Sequence, residues 1–239
     1  MMFPFKARFS YVFVYVPGLL IGLLAAGCTN GDFHVKNLAK TDMSYVADAA
    51  MYETEALLRE LTIKLYKRNP QERAKGAEPD TNIKIGQIFA YPGQRLRFAE
   101  LQGKEEIEAM LLGLDVDYSG DRVFAVMVGL TGMLRRGYGL HKEYYMLDSL
   151  DAQALYNCAR NIETLMWRLQ SRKDAQGRPL LLSNNLPEEA INLSFERLFG
   201  KLIGITDLMA KMSEDRSNRR ISSVVQSAAT AVFIPLPVP

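Results

Sequence analysis

The segment from Asp121 to Arg136 constrains the fold more than any other part of the chain. Drawn as a helix, it carries large apolar side chains on every side: Val123, Phe124, Val126, Met127, Val128, Leu130, Met133 and Leu134. A helix that is apolar all round must be covered on all sides by other elements. It is too short to cross a bilayer. The segment therefore predicts a central helix in a packed core, with Gly129 and Gly132 allowing a neighbouring helix to approach closely.

Other segments show the three-and-four spacing of amphipathic helices. The predicted helices run from Thr41 to Asn69, from Arg95 to Leu114, from Ser149 to Arg172 and from Pro187 to about Met212. The last has the most regular stripe, which is Ile191, Phe195, Leu198, Leu202, Ile205, Met209 and Met212. Steps that alternate four and three are typical of long bundle helices. The sequence therefore predicts an all-α fold, a single helical-bundle-like domain of about five to six helices.

Polar, glycine and proline residues predict where these helices end. Thr41 or Asp42 is expected to cap the first helix, and Asn69-Pro70 to end it. Residues 71–80 are expected to form a loop, and residues 83–91 fit neither a helix nor a strand cleanly. Gly200 and Gly204 lie on another face of the last long helix and could admit a second close neighbour.

The N-terminus has the layout of an export signal. Lys6 and Arg8 precede an apolar run from Tyr11 to Ala26, which ends in Leu24-Ala25-Ala26-Gly27-Cys28. These last five residues resemble the lipobox of bacterial lipoproteins, although that family usually has Leu, Val or Ile where Ala25 stands. An ordinary cysteine after a conventional signal, or an uncleaved membrane anchor, would be the alternatives. Pro17-Gly18 and a length of roughly 16 residues, against the ~20 of a spanning helix, disfavour the anchor.

The resemblance implies that Cys28 is the lipid-bearing first residue of the mature protein. Acyl chains such as palmitate on Cys28 would then attach the chain stably to a membrane. Thr29 stands where an aspartate commonly retains such proteins at the inner membrane, so the resemblance implies the periplasmic face of the outer membrane. The expected organisation is a signal peptide over 1–27, a lipidated tether over 28–40, a helical domain over 41–220, and a short helix with an apolar, proline-rich tail over 221–239.

The charge balance bears on the partners of the mature chain. Residues 1–27 contain two cations and no acid, so removing them lowers the formal net charge from +2 to zero. Binding to nucleic acid requires excess positive charge. The sequence therefore argues against a nucleic-acid partner and also against a polybasic membrane patch.

The second cysteine, Cys158, has no partner for an intramolecular disulfide once Cys28 is acylated. It lies on the apolar stripe of the helix predicted from Ser149 to Arg172, together with Leu155, Ile162, Leu165 and Leu169. We therefore expect its thiol to be buried and unreactive.

The segment from Asp115 to Asp121 resembles the first half of an EF-hand calcium loop, with oxygen ligands at alternate positions and Gly120 at the sixth. The second half departs from that pattern, because Val126 stands where the bidentate glutamate belongs. The interpretation that we favour is a turn between two helices, in which Ser119 or Asp117 caps the buried helix. No metal site is predicted.

Catalytic signatures are scarce in this chain. It has two histidines, His34 in the tether and His141 in a loop with Asp148 and Ser149 near it. No nucleophile elbow surrounds them, and there is no glycine-rich phosphate loop or dinucleotide fingerprint, so no cofactor is predicted. The interpretation favoured is a non-enzymatic binding or scaffold component of an envelope assembly with a protein partner. The alternative is an envelope hydrolase or transferase that uses His141 and the Asp115–Asp121 loop.

The chain ends in Phe233-Ile-Pro-Leu-Pro-Val-Pro239, which is apolar and uncharged. Alternating proline favours an extended conformation that loses little entropy on docking. We expect this tail to lie in a groove of its own domain. Docking on a partner or a membrane surface is the alternative.

Overall fold

The computed structural model describes residues 39–183, 189–190, 192–217, 221 and 232–237. The signal peptide, Cys28, His34 and most of the short helix predicted after residue 220 lie outside these residues. The α-helices are α1 Asp42–Arg68, α2 Thr81–Phe89, α3 Glu106–Gly113, α4 Arg122–Gly137, α5 Ala152–Ser171 and α6 Ser194–Ser217. Across the described ranges there is no β-strand, only an isolated bridge between Lys173 and Pro179. The all-α, single-domain prediction is confirmed.

Local capping fixes both ends of α1. The hydroxyl of Thr41 accepts a hydrogen bond from the backbone N–H of Ser44 at 3.2 Å, and Ser44 reciprocates, forming a capping box. Asn69 ends the helix immediately before Pro70, because proline disfavours helical geometry in the residue before it. Both ends agree with the prediction. None of the helices in the described ranges is long and apolar enough to cross a membrane.

Helix α4 runs antiparallel to α1. The hydroxyl of Tyr66, near the end of α1, donates to Asp121 at the start of α4 at 2.8 Å. Nearer the start of α1, Glu55 pairs with Arg135 near the end of α4 at 2.9 Å. Since the two contacts join opposite ends of the two helices, α1 and α4 point in opposite directions.

Helices α5 and α6 complete the bundle. The thiol of Cys158 in α5 lies 3.5 Å from the backbone oxygen of Met133 in α4. Arg160 in α5 pairs with Asp207 in α6 at 2.7 Å. Arg197, near the start of α6, meets Glu60 in the second half of α1, so α6 also runs antiparallel to α1. The four long helices therefore form an up-and-down bundle.

Helix α4 is the most enclosed of the four. All of its described residues from Val123 to Leu134 are buried, as the apolar pattern predicts. A Cβ at Gly129 would lie 2.5 Å from the backbone oxygen of Glu106, so α3 packs directly on this glycine. At Gly200 and Gly204 the structure does not bear out the predicted close neighbour, because a Cβ at either position would meet no atom of the described residues within 4 Å.

Several predicted boundaries are also corrected. The helix expected from Arg95 to Leu114 is interrupted, because Gln102 and Gly103 both adopt positive φ, and only Glu106–Gly113 is α-helical. Residues 70–75 form a 3-10 helix instead of an open loop, and the ambiguous stretch after Asp80 is helix α2. Helix α6 begins at Ser194, later than the predicted Pro187, which lies outside the described residues.

The cap of α4 also differs from the prediction. Asp121 caps this helix by accepting a hydrogen bond from the N–H of Phe124 at 2.9 Å. Ser119 and Asp117, the two predicted caps, lie in the preceding turn.

The tail residues 232–237 lie along α4 and α5. The side-chain amide of Asn161 donates to the backbone oxygen of Ile234 at 2.8 Å and accepts from its N–H at 2.6 Å. Phe233 and Leu236 are buried in the main apolar core. The tail therefore docks on its own domain, the first of the two predicted alternatives.

Candidate binding site

A cavity of about 260 Å³ opens between the start of α1, the end of α6 and the segment that leads into α5. Its lining residues are Met43, Ser44, Ala47, Tyr144, Tyr145, Met146, Leu147, Asp148, Ser149, Leu150, Ser213 and Arg216. Most of this wall is apolar, with a few polar groups at defined points. That combination is typical of small-molecule sites. We call this cavity the α1 pocket.

The segment after α4 is anchored on α1 at Tyr144. The backbone N–H of Tyr144 donates to the carboxylate of Asp48 at 2.8 Å, and its hydroxyl donates to the backbone oxygen of Tyr138. The ring of Tyr144 is buried, and this burial raises the pKa of its hydroxyl above the ordinary value. The hydroxyl therefore stays protonated and can keep donating.

A tight turn follows this anchor and forms the outer wall of the pocket. The N–H of Tyr145 donates to the carboxylate of Asp148 at 2.8 Å, while the N–H of Asp148 donates to the backbone oxygen of Tyr145 at 3.0 Å. The two residues between them, Met146 and Leu147, point outwards, and Leu147 is 94% exposed. An apolar side chain this exposed, at the edge of a cavity, is available to a ligand or partner.

Two polar side chains of the α1 pocket, Ser213 and Arg216, make no hydrogen bond or ion pair that holds the fold together in the described residues. Ser213 is only 4% exposed, and its hydroxyl has no hydrogen-bond partner among the described residues. Arg216, three residues later in α6, is exposed and forms no ion pair with any residue in the described part of the chain. The hydroxyl of Ser44, by contrast, is already bonded to Thr41. Ser213 and Arg216 are therefore free to meet a bound group.

Exposed aromatic and apolar side chains continue from the pocket along α1. Tyr45 and Tyr52 lie three residues before and four residues after Asp48, hence on the helix face that holds the 144–147 segment. Both are exposed, Tyr52 by 79%. We call Tyr45, Tyr52, Tyr145, Met146 and Leu147 together the apolar face.

The structure separates the residues of the predicted enzymatic alternative. Asp148 and Ser149 line the α1 pocket, but His141 does not, and its ring instead lies 5.0 Å from that of Tyr144. The Asp115–Asp121 loop precedes α4, whereas His141 follows its end. Because α4 has 16 residues, these groups are separated by about 24 Å of helix.

The calcium-like loop is held by protein groups. The guanidinium of Arg122 donates to the backbone oxygens of Asp115, Gly113 and Val116, the last two at 3.1 and 3.0 Å. The carboxylate of Asp121 is buried, and it contacts the side chains of Tyr66 and Lys84. In the described ranges, no three histidine, cysteine, aspartate or glutamate side chains are placed to hold a metal ion.

A second cavity, of about 480 Å³, lies beside the 3-10 helix at the other end of α1. Its charged groups are largely paired with one another. Lys75 pairs with Glu72 at 2.6 Å, and Arg178 pairs with Asp174 at 2.9 Å. The remaining cation, Arg122, donates to backbone oxygens, so the charged groups of this cavity are engaged within the protein and the α1 pocket is the stronger candidate.

Sequence reasoning missed the α1 pocket. The available signal was the run Tyr144-Tyr145-Met146-Leu147 in the linker between two predicted helices. Nothing in the sequence showed that Ser213, 66 residues after Leu147, would be buried beside them. No protein-family model matches the chain, and no curated protein or solved structure is significantly similar to it.

Proposed function

We propose that this chain is an envelope lipoprotein, anchored through a lipid on Cys28, that acts as a non-enzymatic binding component of an envelope assembly. Its site of action is the periplasmic face of the outer membrane, in keeping with Thr29 after the lipid-bearing cysteine. The apolar face contacts a protein partner.

The apolar face is the observation that carries this proposal. Three tyrosines, a methionine and a leucine are exposed around one end of the bundle. Soluble monomers rarely expose large contiguous apolar surfaces, and those that do often use them for binding. Tyrosine and methionine are also enriched in protein interfaces over the rest of the surface.

The position of the apolar face also suits an anchored protein. Two of its tyrosines lie in the first turns of α1, which begins after the 13-residue segment from Cys28 to Lys40. Fully extended, a segment of this length spans at most about 45 Å. A lipid on Cys28 would therefore keep the apolar face within reach of proteins at the membrane surface.

Metabolic labelling tests the anchor. Cells supplied with an alkyne fatty acid should label the wild-type protein and leave the Cys28→Ser variant unlabelled. A Cys158→Ser variant serves as the matched control and should label like the wild type. Equal labelling of the wild type and Cys28→Ser would overturn the anchor.

Site-specific crosslinking tests the binding role. A photoreactive amino acid placed at Tyr52 or Leu147 should give one discrete crosslinked product in the native envelope. Placed at Gln176, the same amino acid should give no product. Gln176 is exposed beyond the far end of the 20-residue helix α5, so about 30 Å of helix separates it from the end of α5 that follows Leu147. A Tyr45→Asp substitution should abolish the product at Tyr52. Identical products at Tyr52 and Gln176, or none at all, would contradict the proposed binding face.

A further inference from the structure

We propose that the α1 pocket binds the aliphatic chain of a single-chain anionic amphiphile, with the charged head beside Arg216 and Ser213. The inference goes beyond the proposed function, because it assigns a small ligand to the end of the bundle that carries the apolar face.

The walls of the pocket suit a flexible aliphatic chain. Met43, Ala47, Met146, Leu147 and Leu150 supply the apolar surface. Methionine side chains are unbranched and adaptable, so they can follow a chain that has no fixed shape. Leu147 is almost fully exposed without a ligand and would lose much of that exposure beside one.

The volume of the pocket limits the ligand to one chain. Sites for drug-sized molecules commonly enclose about 300–1,000 Å³. The α1 pocket, at about 260 Å³, lies just below that range and is too small for two acyl chains side by side. A ligand of medium chain length, or the end of a longer chain, fits it.

The polar groups on the α6 side of the pocket determine which head group the ligand carries. The buried hydroxyl of Ser213 lacks a partner, and a ligand oxygen would supply one. A buried polar group without a hydrogen bond is unfavourable, so this pairing favours binding. Arg216 adds a positive charge three residues along the same helix face.

The carboxylates near the pocket are already engaged. Asp148 accepts the N–H of Tyr145, and Asp48 accepts the N–H of Tyr144. The groups that α6 leaves for a ligand are therefore one hydroxyl and one cation. They match a carboxylate or phosphate head, not a cationic one.

Binding of decanoate to the full chain carrying Cys28→Ser tests the proposal. This background removes the lipid, so the result does not depend on lipidation or on a protein partner. Titration calorimetry at pH 8 should show saturable binding. Arg216→Gln should weaken decanoate binding at least tenfold and leave binding of uncharged 1-decanol unchanged. Ser213→Ala should weaken decanoate binding severalfold without loss of thermal stability, because the hydroxyl holds no partner.

Matched controls lie at the other end of α5. Arg172→Gln and Ser171→Ala change exposed residues there and should leave decanoate binding unchanged. Ala47→Met, which fills the pocket, should weaken decanoate and decanol alike, and its melting temperature reports whether the fold is intact. Absence of saturable decanoate binding would overturn the proposal. So would equal affinity of Arg216→Gln, Ser213→Ala and the controls, or equally strong binding of a two-chain phosphatidylglycerol.

The lipidated wild type then distinguishes two sources of the ligand. If the chain's own acyl group fills the pocket, decanoate should bind the Cys28→Ser protein and not the lipidated one. If the ligand is a free amphiphile, both should bind it equally. Equal binding supports the anionic amphiphile proposed here, whereas loss of binding in the lipidated protein would assign the pocket to the uncharged acyl chains on Cys28 and overturn the anionic head. Failed crosslinking at the apolar face would count only against the protein partner.

Discussion

Lys84 and Asp121 form an ion pair in the interior of the domain, where each side chain is only 1% exposed. Lys84 comes from α2, and Asp121 is the cap of α4. The hydroxyl of Tyr66 in α1 donates to the same carboxylate at 2.8 Å. One carboxylate therefore ties three helices together, and Gly76 leaves room for the ammonium group, since a Cβ there would lie 2.4 Å from it.

Removing the lysine should destabilise the domain strongly. Lys84→Met leaves the carboxylate of Asp121 buried without its counter-charge, and breaking a buried pair in this way costs about 3–5 kcal/mol. Urea denaturation measures the free energy of unfolding. The control is Arg197→Gln, which breaks the exposed pair with Glu60 and should cost about 0.2–1 kcal/mol. Equal losses in the two variants would show that the buried pair does not lock the helices.

Two helical glycines should respond in opposite directions to alanine. In Gly129→Ala the new methyl group would press on the backbone of α3, so we expect a loss of about 1–3 kcal/mol in unfolding free energy. In Gly200→Ala it would enter open space, and the higher helix propensity of alanine should add about 0.5–1 kcal/mol. Denaturation midpoints compare the two variants, and destabilisation by both would refute the packing of α3 on α4.

The sequence predicted the bundle because the long helices carry their packing pattern locally. The all-apolar stretch that became α4 and the cap at Thr41 both follow from nearby residues. The region from 95 to 105 was mispredicted because its apolar spacing resembles a helix, while Gln102 and Gly103 take up left-handed backbone. The Lys84–Asp121 pair could not be predicted from the sequence, since no local pattern links residues that far apart. The α1 pocket was missed for the same reason.

The thiol of Cys158 should resist modification in the native protein. It is fully buried, and burial, followed by the charge of Glu106, raises the pKa of the thiol above its ordinary value. In the Cys28→Ser background, a thiol reagent should react only as fast as the domain opens, roughly a hundredfold slower than with an exposed cysteine. Ser171→Cys, at an exposed position of α5, provides that exposed cysteine. Similar rates for both thiols would place the α5 stripe at the surface.

The domain should lose stability in alkaline solution. Burial raises the pKa of Tyr138 to about 12 from an ordinary value of 10.0, so the unfolded chain releases this proton first. Because the folded state then binds more protons, the contribution of Tyr138 is fully present below pH 10 and is lost progressively between pH 10 and 12. The slope is about 1.4 kcal/mol per pH unit.

Tyr138→Phe isolates that contribution. Between pH 8 and pH 11 this variant should lose about 1.4 kcal/mol less unfolding free energy than the wild type. Tyr52→Phe, at an exposed position of α1, should follow the wild type. If Tyr138→Phe declined as steeply as Tyr52→Phe, the alkaline loss would have another origin.

The C-terminal tail should contribute directly to stability. Phe233 is buried in the core, and the guanidinium of Arg168 lies 4.8 Å from the centre of its ring. Phe233→Ala should lower the free energy of unfolding by about 3–5 kcal/mol, as expected for a large side chain removed from a core. Val232→Ala changes the exposed neighbouring residue and should stay within about 0.5 kcal/mol of the wild type. The measurement is urea denaturation. If the slope of unfolding free energy against urea concentration is the same in both variants and the wild type, the loss belongs to the folded state. If the two variants were equally stable, the tail would not be part of the core, and docking on a partner would become the better account of its apolar composition.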